Sequence, residues 1–249
     1  MSVKLVNHSQ GKDGGSGSET HSQLEESVCY CARVSNPSNQ MNTATNQKLV
    51  KYLMKNNHWS PFEMVSICLE INTTRDIGRQ ILRHRSFSFQ EFSQRYAEPV
   101  ALGIEYKDAR LQDKKNRQNS IDLEDKHNHP LQQQWIDEQK KVADQCQSTY
   151  DWAVSNGIAK EQARAVLPEG ITMSRLYMNG TLRSWIHYIQ LRSAEGTQKE
   201  HQLIAVECAR AIAPLFPSIM DFTKCNAKCN AKCNAKCNAK CNANCNVDV

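Results

Sequence analysis

The chain has 249 residues, 39% apolar and 23% charged, ordinary values for a soluble protein with a core of real size. Its net charge of +5 does not signal polyanion binding: from Lys224 onward five lysines stand against one acid, Asp248, and the body is left near +1. No apolar run is long enough to span a bilayer and Met1 to Asn7 lacks a secretion signal's apolar core, so the reading is a soluble, intracellular, cytoplasmic protein with neither membrane nor nucleic acid as partner. Six of the eleven cysteines (Cys225, Cys229, Cys233, Cys237, Cys241, Cys245) also fall in the last stretch. The others (Cys29, Cys31, Cys68, Cys146, Cys208) are odd in number and lack zinc-like spacing, so they read as small buried thiols and no metal is expected.

In chain order, residues 8 to 22 (HSQGKDGGSGSETHS) are rich in glycine and serine and read as a flexible surface insert, which sets residues 1–22 apart as an N-terminal segment. Gln23 to about Arg33 reads as a helix ending near Asn36-Pro37, and Gln47 to Asn57 as a second, with Leu49, Val50, Leu53 and Met54 on one apolar face. His58-Trp59-Ser60-Pro61-Phe62-Glu63 fits a capping box, with Ser60 as N-cap, Pro61 at N1 and Glu63 at N3. Val65, Ile67, Leu69 and Ile71 alternate with Ser66, Cys68 and Glu70, the pattern of a strand with one buried face. Thr74 to Leu82 then returns to helical spacing through Ile77 and Ile81.

That helix delivers the densest polar stretch of the body, Arg83-His84-Arg85-Ser86-Phe87-Ser88-Phe89-Gln90-Glu91-Phe92-Ser93-Gln94-Arg95-Tyr96. Cations at a helix C-terminus are favourable in themselves, so Arg83 and Arg85 have a plain capping role open to them. From Ser86 the pattern alternates and predicts extended chain, in which Ser93 and Arg95 project to the same side. A hydroxyl and a guanidinium presented together suit a phosphate, because arginine offers planar paired donors.

Residues 97 to 130 are polar and without period, and read as solvated surface. Leu131 to Asn156 predicts a long helix closed at Asn156-Gly157, and Ala159 to Leu167 a short one closed by Pro168. Ile171 to Met178 reads as a strand, Asn179-Gly180-Thr181 as a turn, and Leu182 to Leu191 as a helix capped by Thr181. On it Arg183, His187, Gln190 and Arg192 stand at three- and four-residue steps, either a wet face or one wall of a site. Thr197 to Ala213 is a last helix, stopped by Pro214 and Pro217. The fold class is α+β: one domain over 23–219, with a small, largely antiparallel sheet packed with several long helices. Residues 220–249 are a low-complexity tail in which Lys-Cys-Asn-Ala recurs five times from Lys224. A period of four is too short for a folded repeat, and its C-x3-C spacing without histidine argues against metal capture.

Arg-His-Arg, seven residues, Ser, then Arg-Tyr resembles the signature of the flavin-dependent thymidylate synthases, with Gln90 where most of the family has asparagine. CARVSNP, the box at Ser60, ARAVLP and NGTLRSWIHYIQLRS resemble further segments of that family in the same order, from about Leu24 to Ile219. The run QDKKNRQNS is similar to one found in viral and phage-like members, whose cytoplasm would be the host's.

The resemblance implies methylation of dUMP to dTMP, with methylenetetrahydrofolate as one-carbon donor and FAD, reduced by NADPH, as cofactor. It implies that Gln80, Arg83, Glu91, Ser93, Arg95, Arg164 and Arg192 hold dUMP, and that Arg192 is the catalytic group, stabilising charge on the pyrimidine. For FAD it implies Ser60, Glu63, Arg83, His84, Arg85, Glu91, Asn179, Thr181, Arg183 and His187. It further implies a homotetramer with shared active sites, Gln80 and Arg83 coming from one chain and Glu91 to Arg95 from another. The residues agree on the need for a cofactor: arginines, serines and histidines without an acid pair bind a phosphorylated ligand but do little redox chemistry unaided. Ser93 as nucleophile lacks an evident adjacent base. The competing class is a non-catalytic nucleotide- or RNA-binding protein, in which Phe87, Phe89 and Phe92 stack on bases.

Overall fold

The computed structural model describes residues 1–10, 23–98 and 102–224; the repeats from Cys225 and most of the glycine-rich insert lie outside the described residues. In chain order the elements are β1 Ser2–His8, α1 Gln23–Ala32, α2 Asn46–Lys55, β2 Ser66–Thr74, α3 Arg75–Ile81, β3 Ser88–Glu91, β4 Arg110–Gln112, β5 Ser120–Asp122, α4 Pro130–Ser155, α5 Lys160–Ala163, β6 Met173–Thr181, α6 Leu182–Arg192 and α7 Lys199–Ile212.

Alternation in β2 buries Ile67, Leu69 and Ile71 completely and leaves the residues between them half-buried. β2 pairs antiparallel along its whole length with β6, in a register that sets Leu69 opposite Met178 and Ile71 opposite Leu176. β1 completes one side and β3 the other, so the antiparallel sheet runs β1-β2-β6-β3. Helices α6 and α7 cover its apolar face, where Trp185, Ile186 and Ile189 meet Ile204, Ala205 and Cys208 in one core. The buried Trp185 indole donates from Nε1 to the Ile67 carbonyl at 3.0 Å, which fixes α6 on the sheet without an unsatisfied donor.

Several expectations need correction. Residues 2–8, set apart with the insert on the sequence reading, form the edge strand β1, and His8 pairs with Ile67. The polar segment before α4 carries a two-stranded sheet, β4 with β5. It is tied down by glutamines of α4: Gln139 bonds both the amide and the carbonyl of Lys107, at 2.8 and 2.9 Å, and Gln132 accepts from the Ala109 amide at 2.9 Å. Ser60–Glu63 is a 3₁₀ turn whose N-cap is Trp59, with no side-chain cap, so the capping box does not form. Asn179–Thr181 is not a turn: β6 continues through it and passes straight into α6, where Thr181 caps by accepting from the Ser184 amide.

What made 179–181 look like a turn is Gly180, and the structure gives that glycine another purpose. Phe87 lies against it, and a Cβ there would sit 2.4 Å from the ring's Cδ1. The same ring packs on Trp185 at 4.9 Å, so it cannot simply withdraw. Gly180→Ala is therefore expected to destabilise the fold by about 1–3 kcal/mol, the usual cost of an overpacked core, read as a lowered midpoint in denaturant. An unchanged midpoint would show that Phe87 is free to move.

Candidate active site

After α3 the chain makes two successive turns, with the His84 amide donating to the Ile81 carbonyl at 3.0 Å and the Phe87 amide to the His84 carbonyl at 3.3 Å. The basic triplet occupies those turns, at the helix end where the sequence placed it. Arg83 and Arg85 are exposed and have no partner among the described residues, while His84 turns inward. Ser184 of α6 donates to the Ser86 carbonyl at 3.2 Å, clamping the turns to the start of α6. The far end of α6 supplies Arg192, whose Nε donates to His84 Nε2 at 2.8 Å.

That bond requires Nε2 to carry a lone pair, so His84 is neutral and its proton sits on Nδ1. Burial, and then the Arg192 charge, push its pKa down to about 4. Its ring stands edge-on to Tyr188 at 4.9 Å, and behind it lies His201 of α7, fully buried. Burial, Arg192 and His84 together lower His201 to about 3. His201 contacts the Tyr188 hydroxyl at 3.1 Å through Nε2 and Gln80 Oε1 at 3.2 Å through Nδ1. Gln80, His84 and Arg192 are thus brought together by two residues the sequence reading did not single out. A signal existed: His201 heads the apolar stripe Ile204, Ala205, Cys208 and Ile212, an odd place for an imidazole.

Both histidines are depressed below their ordinary value of 6.5, so between about pH 4 and 6.5 the unfolded chain binds more protons than the folded one. Stability is then expected to rise with pH across that window and to fall as pH drops from about 6.5 towards 4. Melting curves from pH 7 to pH 4.5 check this, with a smaller slope expected for His84→Phe.

A second group forms at the start of α6. Arg183 Nη1 donates to Glu63 Oε1, which joins the 3₁₀ turn to the helix. His187, one turn on, lies edge-on to Trp59 at 4.9 Å, with its pKa lowered by burial and by Arg183. Ser60 is exposed beside them, and Asn179 projects from the open face of β6 opposite Ser88.

Glu91, Ser93, Arg95 and Arg164 sit elsewhere. The Glu91 carboxylate lies 3.6 Å from Arg75 and 4.0 Å from Arg79, both on α3, and Oε1 accepts from Ser174 at 3.1 Å. Arg75, Arg79 and Ser174 were missed because their partner is ten or more residues away in sequence. Ser93 and Arg95 do not share the side of an extended chain: beyond Glu91 the backbone turns, with the Tyr96 and Ala97 amides both donating to the Ser93 carbonyl. Arg95 instead bonds Glu161 at 2.9 Å, and Arg164 Nε donates to the carbonyl of the same Glu161 at 3.4 Å. The expected phosphate groups Arg95 and Arg164 therefore converge, but no hydrogen bond or ion pair among the described residues links them to Arg192 and Gln80.

Other chemistry is poorly served. Cys29 and Cys208 are fully buried, and burial raises both thiols, Cys29 to about 11, so neither offers a thiolate. Phe87 is buried against Gly180 and Trp185, out of reach of a nucleobase. Among the described residues no group of His, Cys, Asp and Glu could hold a metal, and no helix is long and apolar enough to cross a membrane.

The family model described as thymidylate synthase complementing protein matches residues 19–218. A probable flavin-dependent thymidylate synthase of Paramecium bursaria Chlorella virus 1 is 48% identical over 219 residues, covering 88% of this chain and 97% of its own. The flavin-dependent thymidylate synthase of Synechocystis sp. is 47% identical over 193 residues, covering 77% and 86%. Among solved structures, a UMP/dUMP methylase PolB from Streptomyces cacaoi bound with 5-Br dUMP is similar at a TM-score of 0.73 and 27% identity, over 89% of this chain and 93% of that one.

Proposed function

The chain belongs to the flavin-dependent thymidylate synthases, and on that premise we propose that it methylates dUMP to dTMP with methylenetetrahydrofolate as one-carbon donor. The observation that carries this reading is the Arg192 guanidinium, held by a neutral histidine of the signature turn rather than neutralised by it. A fixed cation in a half-buried position can stabilise negative charge as it develops on a pyrimidine ring, without reorganising to do so.

FAD fits the residues present. Arg83 and Arg85 are exposed guanidinium groups without partners among the described residues, as a diphosphate requires, and the Glu63–Arg183 pair with His187 and Trp59 offers polar and aromatic contacts. Ser60, Glu63, Arg83, His84, Arg85, Glu91, Asn179, Thr181, Arg183 and His187 would hold it. When bound and reduced by NADPH, FAD supplies the reducing equivalents of the reaction.

The chain's own residues do the rest. Arg95 and Arg164 bind the nucleotide phosphate, with Ser93 donating its hydroxyl. The Arg95–Glu161 pair is exposed and worth roughly 0–1 kcal/mol, so a phosphate can displace the carboxylate. Gln80 and Arg192 hold the base, and His84 keeps Arg192 aimed. Because no hydrogen bond or ion pair among the described residues joins the phosphate-binding arginines to Gln80 and Arg192, we place each site between subunits of a homotetramer. Gln80 and Arg83 then come from one chain, and Glu91 to Arg95 from another. The exposed Trp135, Val142 and Trp152 along α4 give such an assembly apolar surface to bury. The catalytic domain is 23–219 with β1 as its edge, and its place is the cytoplasm, that of the host if the chain is viral.

The purified protein is expected to be yellow, to bleach with NADPH, and to form dTMP only with FAD, a reductant and methylenetetrahydrofolate present. Full turnover after complete flavin removal, with dTMP followed by chromatography, would overturn the reading.

A further inference from the structure

Tyr188, His201, Gln80, Gln198 and Glu200 form a hydrogen-bonded chain whose direction can be worked out from one end. Glu200 is buried and accepts from Arg110 Nη2 at 2.6 Å on one oxygen and from Gln198 Nε2 at 3.0 Å on the other. A carboxylate only accepts, so Gln198 must turn its NH₂ towards Glu200 and its carbonyl oxygen towards Gln80. Gln80 must then donate from Nε2 to Gln198 Oε1, at 2.7 Å, and face His201 with its own oxygen. His201 therefore donates from Nδ1, keeps a lone pair on Nε2, and receives the Tyr188 hydroxyl proton there. Each of these contacts then pairs a donor with an acceptor, and only this direction satisfies them all.

We propose that His201 is a positioning residue for the nucleotide: its Nδ1–H holds Gln80 Oε1 and so fixes which way the Gln80 amide faces the substrate. The proposal rests on the reading above that Gln80 holds dUMP. In the chain as found, one Gln80 N–H and one lone pair of Oε1 are left for a ligand, and Gln198 from one side with His201 from the other prevent the amide from flipping.

Two substitutions separate this role from simple packing. An asparagine amide reaches about as far as imidazole Nδ1, and a glutamine amide about as far as Nε2. His201→Asn therefore retains a donor towards Gln80 and loses Tyr188, whereas His201→Gln retains Tyr188 and loses Gln80. His201→Asn also leaves the larger cavity and is expected to melt lower. The dissociation constant for dUMP, by titration calorimetry on flavin-loaded protein, is expected within about threefold of wild type for His201→Asn and about tenfold weaker for His201→Gln. Affinity should thus run opposite to melting temperature. If affinity follows melting temperature, or both variants weaken alike, the proposal is overturned while dUMP binding by the wild type stands. Failure of the wild type to bind dUMP overturns the functional reading and this proposal with it. Gln198→Ala, at an exposed position that does not endanger folding, is expected to weaken dUMP about threefold through the same amide. Unchanged affinity in that variant would also overturn the proposal.

Discussion

Arg192→Ala is expected to slow single-turnover dTMP formation by roughly 10²–10³, about 2.7–4 kcal/mol of barrier, the typical cost of one lost transition-state donor. Arg192 is the last residue of α6, and a cation there is worth about 0.3–1 kcal/mol of stability whatever its chemistry. Its bond to His84 adds about 1 kcal/mol. Neither contribution reaches the rate loss expected of a catalytic group, so the two roles separate on one sample. Turnover near wild type with a lowered melting temperature would leave Arg192 as a helix-end cation. The flavin should stay bound, because Arg183 and Glu63 hold their places a full two turns away on the other end of the helix. The Arg192 charge also depresses both His84 and His201, and without it their pKa values should rise towards the ordinary value.

How far the sequence reached depended on the range of the interaction involved. β2 and α6 were legible because their period is set by burial of one face, a local pattern: Ile67, Leu69 and Ile71 in one, Trp185, Ile186 and Ile189 in the other. β1 was not, because as an edge strand it leaves most of its side chains exposed and shows no alternation. β4 and β5 were hidden for the same reason, and the α4 glutamines that hold the segment leading into them lie more than twenty residues away in sequence. The glycine at 180 misled because the requirement it meets, room for Phe87, comes from a residue 93 positions earlier in sequence. In the site, the signature gave Arg83 to Arg85 their place at a helix end, but the neighbours that set their chemistry came from α6 and α7. His84 stays neutral well below its ordinary value of 6.5 because burial and the Arg192 charge disfavour its cation, and nothing local to His84 states that.

Arg83→Ala and Arg95→Ala are each expected to lower kcat/KM for dUMP by roughly 10- to 10²-fold, as loss of a charge-assisted hydrogen bond of about 1.5–3 kcal/mol does. Both guanidinium groups are exposed, so neither change should disturb folding. Arg83 follows α3 and has no side-chain partner among the described residues, whereas Arg95 lies with Glu161 and Arg164. If each site takes Arg83 from one subunit and Arg95 from another, a chain lacking one residue still carries the other. An assembly containing both variants then includes sites built from Arg83 of the second chain and Arg95 of the first, with no alteration at all. Co-expression of the two variants should accordingly restore turnover well above either alone, and light scattering should give a particle near four times 28.3 kDa. Sites contained within single chains would predict the opposite, since every chain in the mixture lacks one arginine. An activity equal to the mean of the two variants would therefore place both arginines in the same subunit's site, and would require Arg95 to leave Glu161 and swing towards α3.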